Sequence, residues 1–290
     1  MSRIKTSIIG LLLVAAALMS GCSSVRLAYG SGPQLAWWWL DGYVDFSTEQ
    51  TPRVKQGLAA LFDWHRSSQL PAYAALLGTA QQQVLEPTTP ERACRWQTQV
   101  RELLEPTLQR ALVLAAEQSA GLGEAQFKHL EQRYAKGIAE MRDDFLQPDL
   151  ADRQAKSVER AVERAERLYG RLAPAQLQVV RDGVLASPFD PLLWLQERQR
   201  RQREVLDTLR RLSADRADAD QRLAAMRTLV AHTEASPNAT YRAYQVKLTD
   251  YNCAFAARLH NAAPPAKRQQ ARETLKGWEE DLRALMAPPA

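Results

Sequence analysis

Apolar side chains recur every three to four positions along most of the chain, and no stretch alternates apolar with polar residues long enough to suggest a strand. Phe127, Leu130, Tyr134, Ile138, Met141 and Phe145 fall on one face of a helix, and Val158, Ala161, Val162, Ala165, Leu168, Tyr169 and Leu172 do the same. Thr51-Pro52, Thr89-Pro90 and Asp190-Pro191 each supply a capping side chain followed by proline at the first helical position, where its missing N–H costs nothing. Pro87, Pro148, Pro188, Pro237 and Pro264 mark helix ends. The pattern predicts helices over 34–45, 52–69, 71–85, 90–119, 124–146, 150–172, 174–186, 191–212, 217–234, 239–261 and 266–286. Pro106 lies inside one of them, where a kink or break is expected. The fold class is all-α, an elongated bundle of antiparallel amphipathic helices. No Gly/Ser/Pro-rich linker divides it, so residues 33–290 read as one helical domain.

A short pattern recurs at helix heads. Phe46 precedes Gln50, Leu122 precedes Gln126 and Leu172 precedes Gln176, each by four residues. A Gln at the third helical position can reach back to the cap N–H, and the apolar residue outside the cap can pack on the first turn. This is helix-start grammar, because no regular longer period accompanies it.

The N-terminus follows a different rule. Arg3 and Lys5 precede a dense apolar run, Ile8 to Met19, broken only by Gly10. That run is short of the roughly 20 apolar residues a spanning helix needs, and it fits the hydrophobic region of an export signal. Leu18-Met19-Ser20-Gly21-Cys22 ends it and resembles the lipobox of bacterial lipoproteins, with Met19 where Leu is more usual. The resemblance implies cleavage before Cys22 and acylation of its thiol. Residues 1–21 are then a signal peptide and 22–32 a lipidated tether. Several acyl chains give firm attachment, since each buried methylene contributes about 0.8 kcal/mol. Ser23 and Ser24, with no Asp after the cysteine, imply the periplasmic face of the outer membrane as the address.

Composition adds limits. Hydrophobic residues make up 46% and charged residues 24%, which excludes collagen-like, disordered and multi-span membrane classes. Arg3 and Lys5 leave with the signal, so 36 of the 38 basic residues face 33 acidic ones in the mature chain. That excess is too small to suggest nucleic-acid binding. With Cys22 acylated, Cys94 and Cys253 remain, and an oxidising compartment would allow only one pairing. Both lie off the apolar stripes of their helices, which favours a Cys94–Cys253 disulfide over a pair of buried thiols. A bridge closing about 160 residues would stabilise by roughly 5 kcal/mol.

The chain is poor in motifs that carry chemistry. His65, His129, His232 and His260 stand in no zinc-binding spacing, and there is no phosphate loop or nucleophile elbow, so no metal or cofactor is expected. Trp37-Trp38-Trp39 spreads three indoles around a helix, so at least one or two are expected to pack into the domain, with contact to a membrane interface as the alternative. Trp64-His65-Arg66 and Leu70-Pro71-Ala72-Tyr73 bracket a helix corner. There His65 reads as a structural histidine, the alternative being an acid/base or pH-sensing role. From Gln196 to Glu204 nine polar residues run consecutively, with Arg198, Arg200, Arg201 and Arg203. Interleaved acids suggest a solvated helix; the alternative is a grip on phosphates of a glycolipid, acidic lipid or acidic protein.

The export cysteine, Trp38-Trp39-Leu40-Asp41-Gly42-Tyr43-Val44-Asp45-Phe46, the Trp64–Tyr73 corner and the Gln helix starts resemble a family of bacterial lipoproteins of unknown function. Gly123 and Ala173 stand at caps where such proteins often carry Ser or Thr. The resemblance implies an envelope lipoprotein and no catalytic residue. The expected role is binding or scaffolding, attached to the membrane by its lipid and meeting an envelope protein or glycolipid. A periplasmic hydrolase-like enzyme with a site near His65 is the alternative. Trp64, His65, Arg66 and Tyr73 form the candidate patch.

Overall fold

The computed structural model describes residues 24–286. Among them are twelve helices and no strand: α1 (Ser24–Gly30), α2 (Gly32–Val44), α3 (Thr51–Ser68), α4 (Leu70–Gln83), α5 (Pro90–Ser119), α6 (Glu124–Phe145), α7 (Leu150–Tyr169), α8 (Pro174–Leu185), α9 (Pro191–Ala214), α10 (Ala219–Glu234), α11 (Ala239–Asn261) and α12 (Pro265–Met286). The expected all-α class is the observed one. Eleven predicted helices are present with ends displaced by at most three residues, because the caps act locally. Thr89 accepts from the Arg92 N–H at 3.3 Å, Asp149 from Asp152 at 2.9 Å, and Asp190 from both Leu192 and Leu193. The helix α7 stops at Tyr169 rather than continuing to 172, since Gly170 turns the chain with φ +62°.

Pro106 does not end α5, which runs 30 residues from Pro90 to Ser119. The proline is exposed, so the Glu102 carbonyl deprived of its N–H partner faces water. Packing on both sides holds the helix through that point. Its C-terminal half buries Leu112 and Ala116 in a core with Phe127, Leu130, Leu206, Leu209, Leu212 and Met226, contributed by α6, α9 and α10. Its N-terminal half lies along α11, where Cys94 and Cys253 are joined as a disulfide with Cα atoms 5.3 Å apart. Cys253, expected away from the core, is only 4% exposed, because α11 is covered on two sides: Ala257 is buried with it, and Phe255 and Leu259 turn into a second core. That second core joins α4, α7, α8, α11 and α12 around Val180 and Ala271, both fully buried. A third, smaller core packs Trp37 of α2 on Val54 and Leu58 of α3.

The Gln pattern operates as expected at Gln126 and Gln176, the third residues of their helices, whereas Gln50 stands just ahead of α3 and closes the preceding turn. Gln126 accepts the Gly123 N–H at 3.1 Å, Gln176 that of Ala173 at 3.1 Å, and Gln50 that of Ser47 at 2.9 Å. A fourth instance, Gln221 accepting from Asp218 at 2.9 Å, belongs to α10. Two of them also interlock: the Gln126 amide donates to Gln50 at 2.8 Å, and the Gln50 amide donates to the Gly121 carbonyl at 2.7 Å. Helix starts 76 residues apart are thereby tied together.

The segment expected as a tether is different from Ser24 onward. It forms α1, which docks: Arg26 pairs with Asp281 of α12 at 2.8 Å, and the Tyr29 hydroxyl meets His65. Gly32 is buried, and a Cβ there would strike the Phe62 ring, so close approach of α2 to α3 requires glycine. The segment expected to be a signal peptide, with Cys22, lies outside the described residues.

Candidate binding groove

The corner that the sequence singled out is a junction of four helices. His65 Nδ1 lies 2.8 Å from the Tyr29 hydroxyl, and the Tyr73 ring packs edge-on against the imidazole at 5.2 Å. Tyr73 in turn bonds Thr107 of α5 at 3.1 Å. Arg66 sits 5.7 Å from the Tyr29 ring centroid, and Arg110 of α5 lies 4.9 Å over Trp64. The patch thus joins α1, α3, α4 and α5, and all four of its residues point into contacts between helices. Burial lowers the His65 pKa, so the ring is neutral at pH 7. A second Tyr–His pair is better resolved in its proton order. His260 Nε2 donates to the Glu86 carbonyl at 2.8 Å, leaving Nδ1 to accept from the Tyr169 hydroxyl at 2.8 Å. Burial lowers this histidine too and lifts Tyr169 to about 12.

The polar run of α9 is not a solvated face. Of its nine residues only Gln196 and Arg203 are exposed, and Glu197 is 3% exposed. Arg200 donates to both Glu197 oxygens at 3.0 and 2.9 Å, and Arg201 Nε to one of them at 3.0 Å. Burial would raise the Glu197 carboxyl, but hydrogen bonds from Arg200, Ser236 and Arg201 outweigh it and hold the group below the usual range. Arg200 continues to Glu204 at 2.8 Å, and Glu204 meets His232 of α10 in a short contact. Spacings of three and four residues explain the Arg–Glu contacts within α9. Burial comes from Ser236 and Tyr241, some 40 residues further on.

One side of this network opens to a recess of about 250 Å³ between α6, α9 and the start of α11. Tyr134, Trp194 and Tyr241 form aromatic walls, and Arg198 and Arg201 supply the positive charge. Arg201 lies against the Tyr241 ring at 5.6 Å while Glu197 fixes its Nε. Among the described residues, its Nη2 and the Nε of Arg198 are buried without a hydrogen-bond acceptor, and no carboxylate pairs with Arg198. Tyr134 and Gln202 also border a larger hollow of about 510 Å³ that follows α6 and α9, so the recess continues as a groove. Burial pushes Tyr134 up to about 12, which keeps its hydroxyl a donor across the physiological range. Two guanidinium groups between aromatic rings make a site for a flat or tetrahedral anion. Among the described residues no cluster has the composition of a metal site.

The model of a family of unknown function, DUF6279, matches residues 42–242. The chain belongs to this family. No curated protein and no solved structure matches it. The DUF6279 match takes in Cys94, the His65 corner and every residue of the recess from Tyr134 to Tyr241. Trp37 to Trp39, Cys253 and α12 lie beyond it.

Proposed function

We propose that this DUF6279 protein is a lipid-anchored binding or scaffolding protein of the bacterial envelope, held by Cys22 at the outer membrane and facing the periplasm. The groove of α6, α9 and α11 receives an acidic group of its partner, an envelope protein or a glycolipid. The observation that carries this reading is the recess itself, in which the guanidinium side chains of Arg198 and Arg201 line the wall beside Trp194 and Tyr241. The lipobox supports the anchor, and the Cys94–Cys253 bridge suits an oxidising compartment. The hydrolase-like alternative draws less support, because the His65 imidazole is engaged by Tyr29 and Tyr73 in holding helices together.

Two measurements test the reading separately. Palmitate labelling of wild type and Cys22→Ala decides the anchor: label on the first and none on the second is expected, and an unlabelled wild type overturns it. A photocrosslinking residue at Gln202 decides the groove. It should give a discrete adduct in cells that disappears in Arg198→Gln and that the same probe at Glu140, on the exposed side of α6, does not give. Identical products from both positions would remove the groove from consideration.

A further inference from the structure

The outward side of α1 and α2 carries no charge. From Leu27 to Leu40 the sequence contains no acidic, basic or histidine residue, in a chain where 24% of residues are Asp, Glu, Lys or Arg. The exposed positions of α2 and its cap, Ser31, Gln34, Leu35, Trp38, Trp39 and Gly42, follow one helical stripe. The opposite stripe is apolar as well, with Trp37 7% exposed against Val54 and Leu58. A surface helix ordinarily sets charged residues on its outer side. Instead Trp38 and Trp39 are 61% and 63% exposed, Leu35 44% and Leu27 71%. Of the one or two indoles expected to pack into the domain, Trp37 does, and Trp38 and Trp39 face outward.

We infer that this face, Leu27, Leu35, Trp38 and Trp39, rests on the surface of a phospholipid bilayer. The inference rests on the lipid-anchor reading, because the position of Cys22 selects the occupant. Only Ser23 separates Cys22 from α1, so the acylated residue would stand within about 20 Å of Leu27. The helix α1 is not a free leash: Arg26 to Asp281 and Tyr29 to His65 pin it to the domain, which carries α2 to the same membrane. At 13 residues α2 is too short to span, and no helix among the described residues is long and apolar enough to cross a membrane. An in-plane position remains, where indoles place their rings below the headgroups and their N–H groups in the wet layer. The contact would fix the tilt of the domain as well as its distance from the lipid.

The test uses the mature lipidated protein reconstituted in phosphatidylethanolamine/phosphatidylglycerol vesicles, with and without brominated acyl chains. Bromine should quench tryptophan emission in wild type, and Trp38→Gln/Trp39→Gln should remove most of that quenching while staying vesicle-bound. A bound, palmitate-labelled wild type whose emission bromine leaves unchanged overturns the face and spares the anchor. A second arm makes the face independent of the lipid: the chain from residue 22 with Cys22→Ser, exported behind a cleavable signal. It should float with vesicles weakly, and the double Trp variant should bind about tenfold less. Equal flotation of the two overturns the face, as does concentration-dependent dimerisation abolished by the same variant, which would assign the surface to a second copy. Circular dichroism should show the double variant folded, since both side chains it alters are exposed.

Discussion

Glu197 shows how much one side chain can depend on distant ones. Its carboxylate is buried yet ionised, and it holds Arg200, which continues to Glu204, and Arg201, which lines the recess. Removing one member of a buried ion pair strands the rest, at a cost of about 3–5 kcal/mol. Glu197→Ala should lower stability by that order in denaturant unfolding, whereas Arg203→Ala, at an exposed position, should change it by less than about 0.5 kcal/mol. The histidines act at a different pH. His65 and His260 have pKa values below 6.5 in the folded chain, so between those values and 6.5 the unfolded chain binds more protons. Stability should therefore decline as pH falls through 6.5, and His260→Gln should flatten that decline in melting curves between pH 7.5 and 5.5. Glu197 and Glu204, held low, add a further loss only in the carboxylate range below.

Helices in this chain begin where short-range chemistry says they should. Thr89-Pro90 and Asp190-Pro191 start theirs as read from the sequence, and Gln50, Gln126 and Gln176 reach back to the chain ahead of theirs. The helices α2, α3 and α4 start without a side-chain cap, the Thr51 hydroxyl donating instead to the Ser47 carbonyl at 2.9 Å, and ahead of them α1 ends in a Gly-Ser-Gly stretch. Its helical state follows from docking on α12 and α3, which a local pattern cannot reveal. Close helix approach is set by glycine at Gly183 of α8, where a Cβ would strike the Phe255 ring and where the carbonyl already accepts from Tyr251 at 2.6 Å. Gly183→Ala should destabilise by about 1–3 kcal/mol despite its higher helix propensity, because overpacking outweighs it. Thermal unfolding with Gly137→Ala as a control, inside α6 where a Cβ meets open space, separates the two effects.

Across the whole molecule, the long helix α5 connects the parts. Its last half is embedded in the α6–α9–α10 core, and its first half is joined to α11 by the only disulfide among the described residues. Closing 159 residues removes much freedom from the unfolded chain, so Cys94→Ser/Cys253→Ser should lose up to about 5 kcal/mol. The loss should appear in the unfolding midpoint and match that of the wild type measured under reducing conditions. The same assembly puts the uncharged α1–α2 face at the N-terminal end of the described residues and forms the groove from residues 134 to 241.

By itself, the sequence determined the all-α class, eleven helices and the Gln caps, because those rest on interactions within a few residues. It also named Cys94 and Cys253 as the pair, since only those two follow Cys22. The tertiary structure decided which polar residues were buried and which apolar ones were left outside. Glu197 looked solvated until Ser236 and Tyr241 covered it, and the three adjacent tryptophans looked alike until α3 chose Trp37. Burial belongs to partners far along the chain, and no local pattern carries that information.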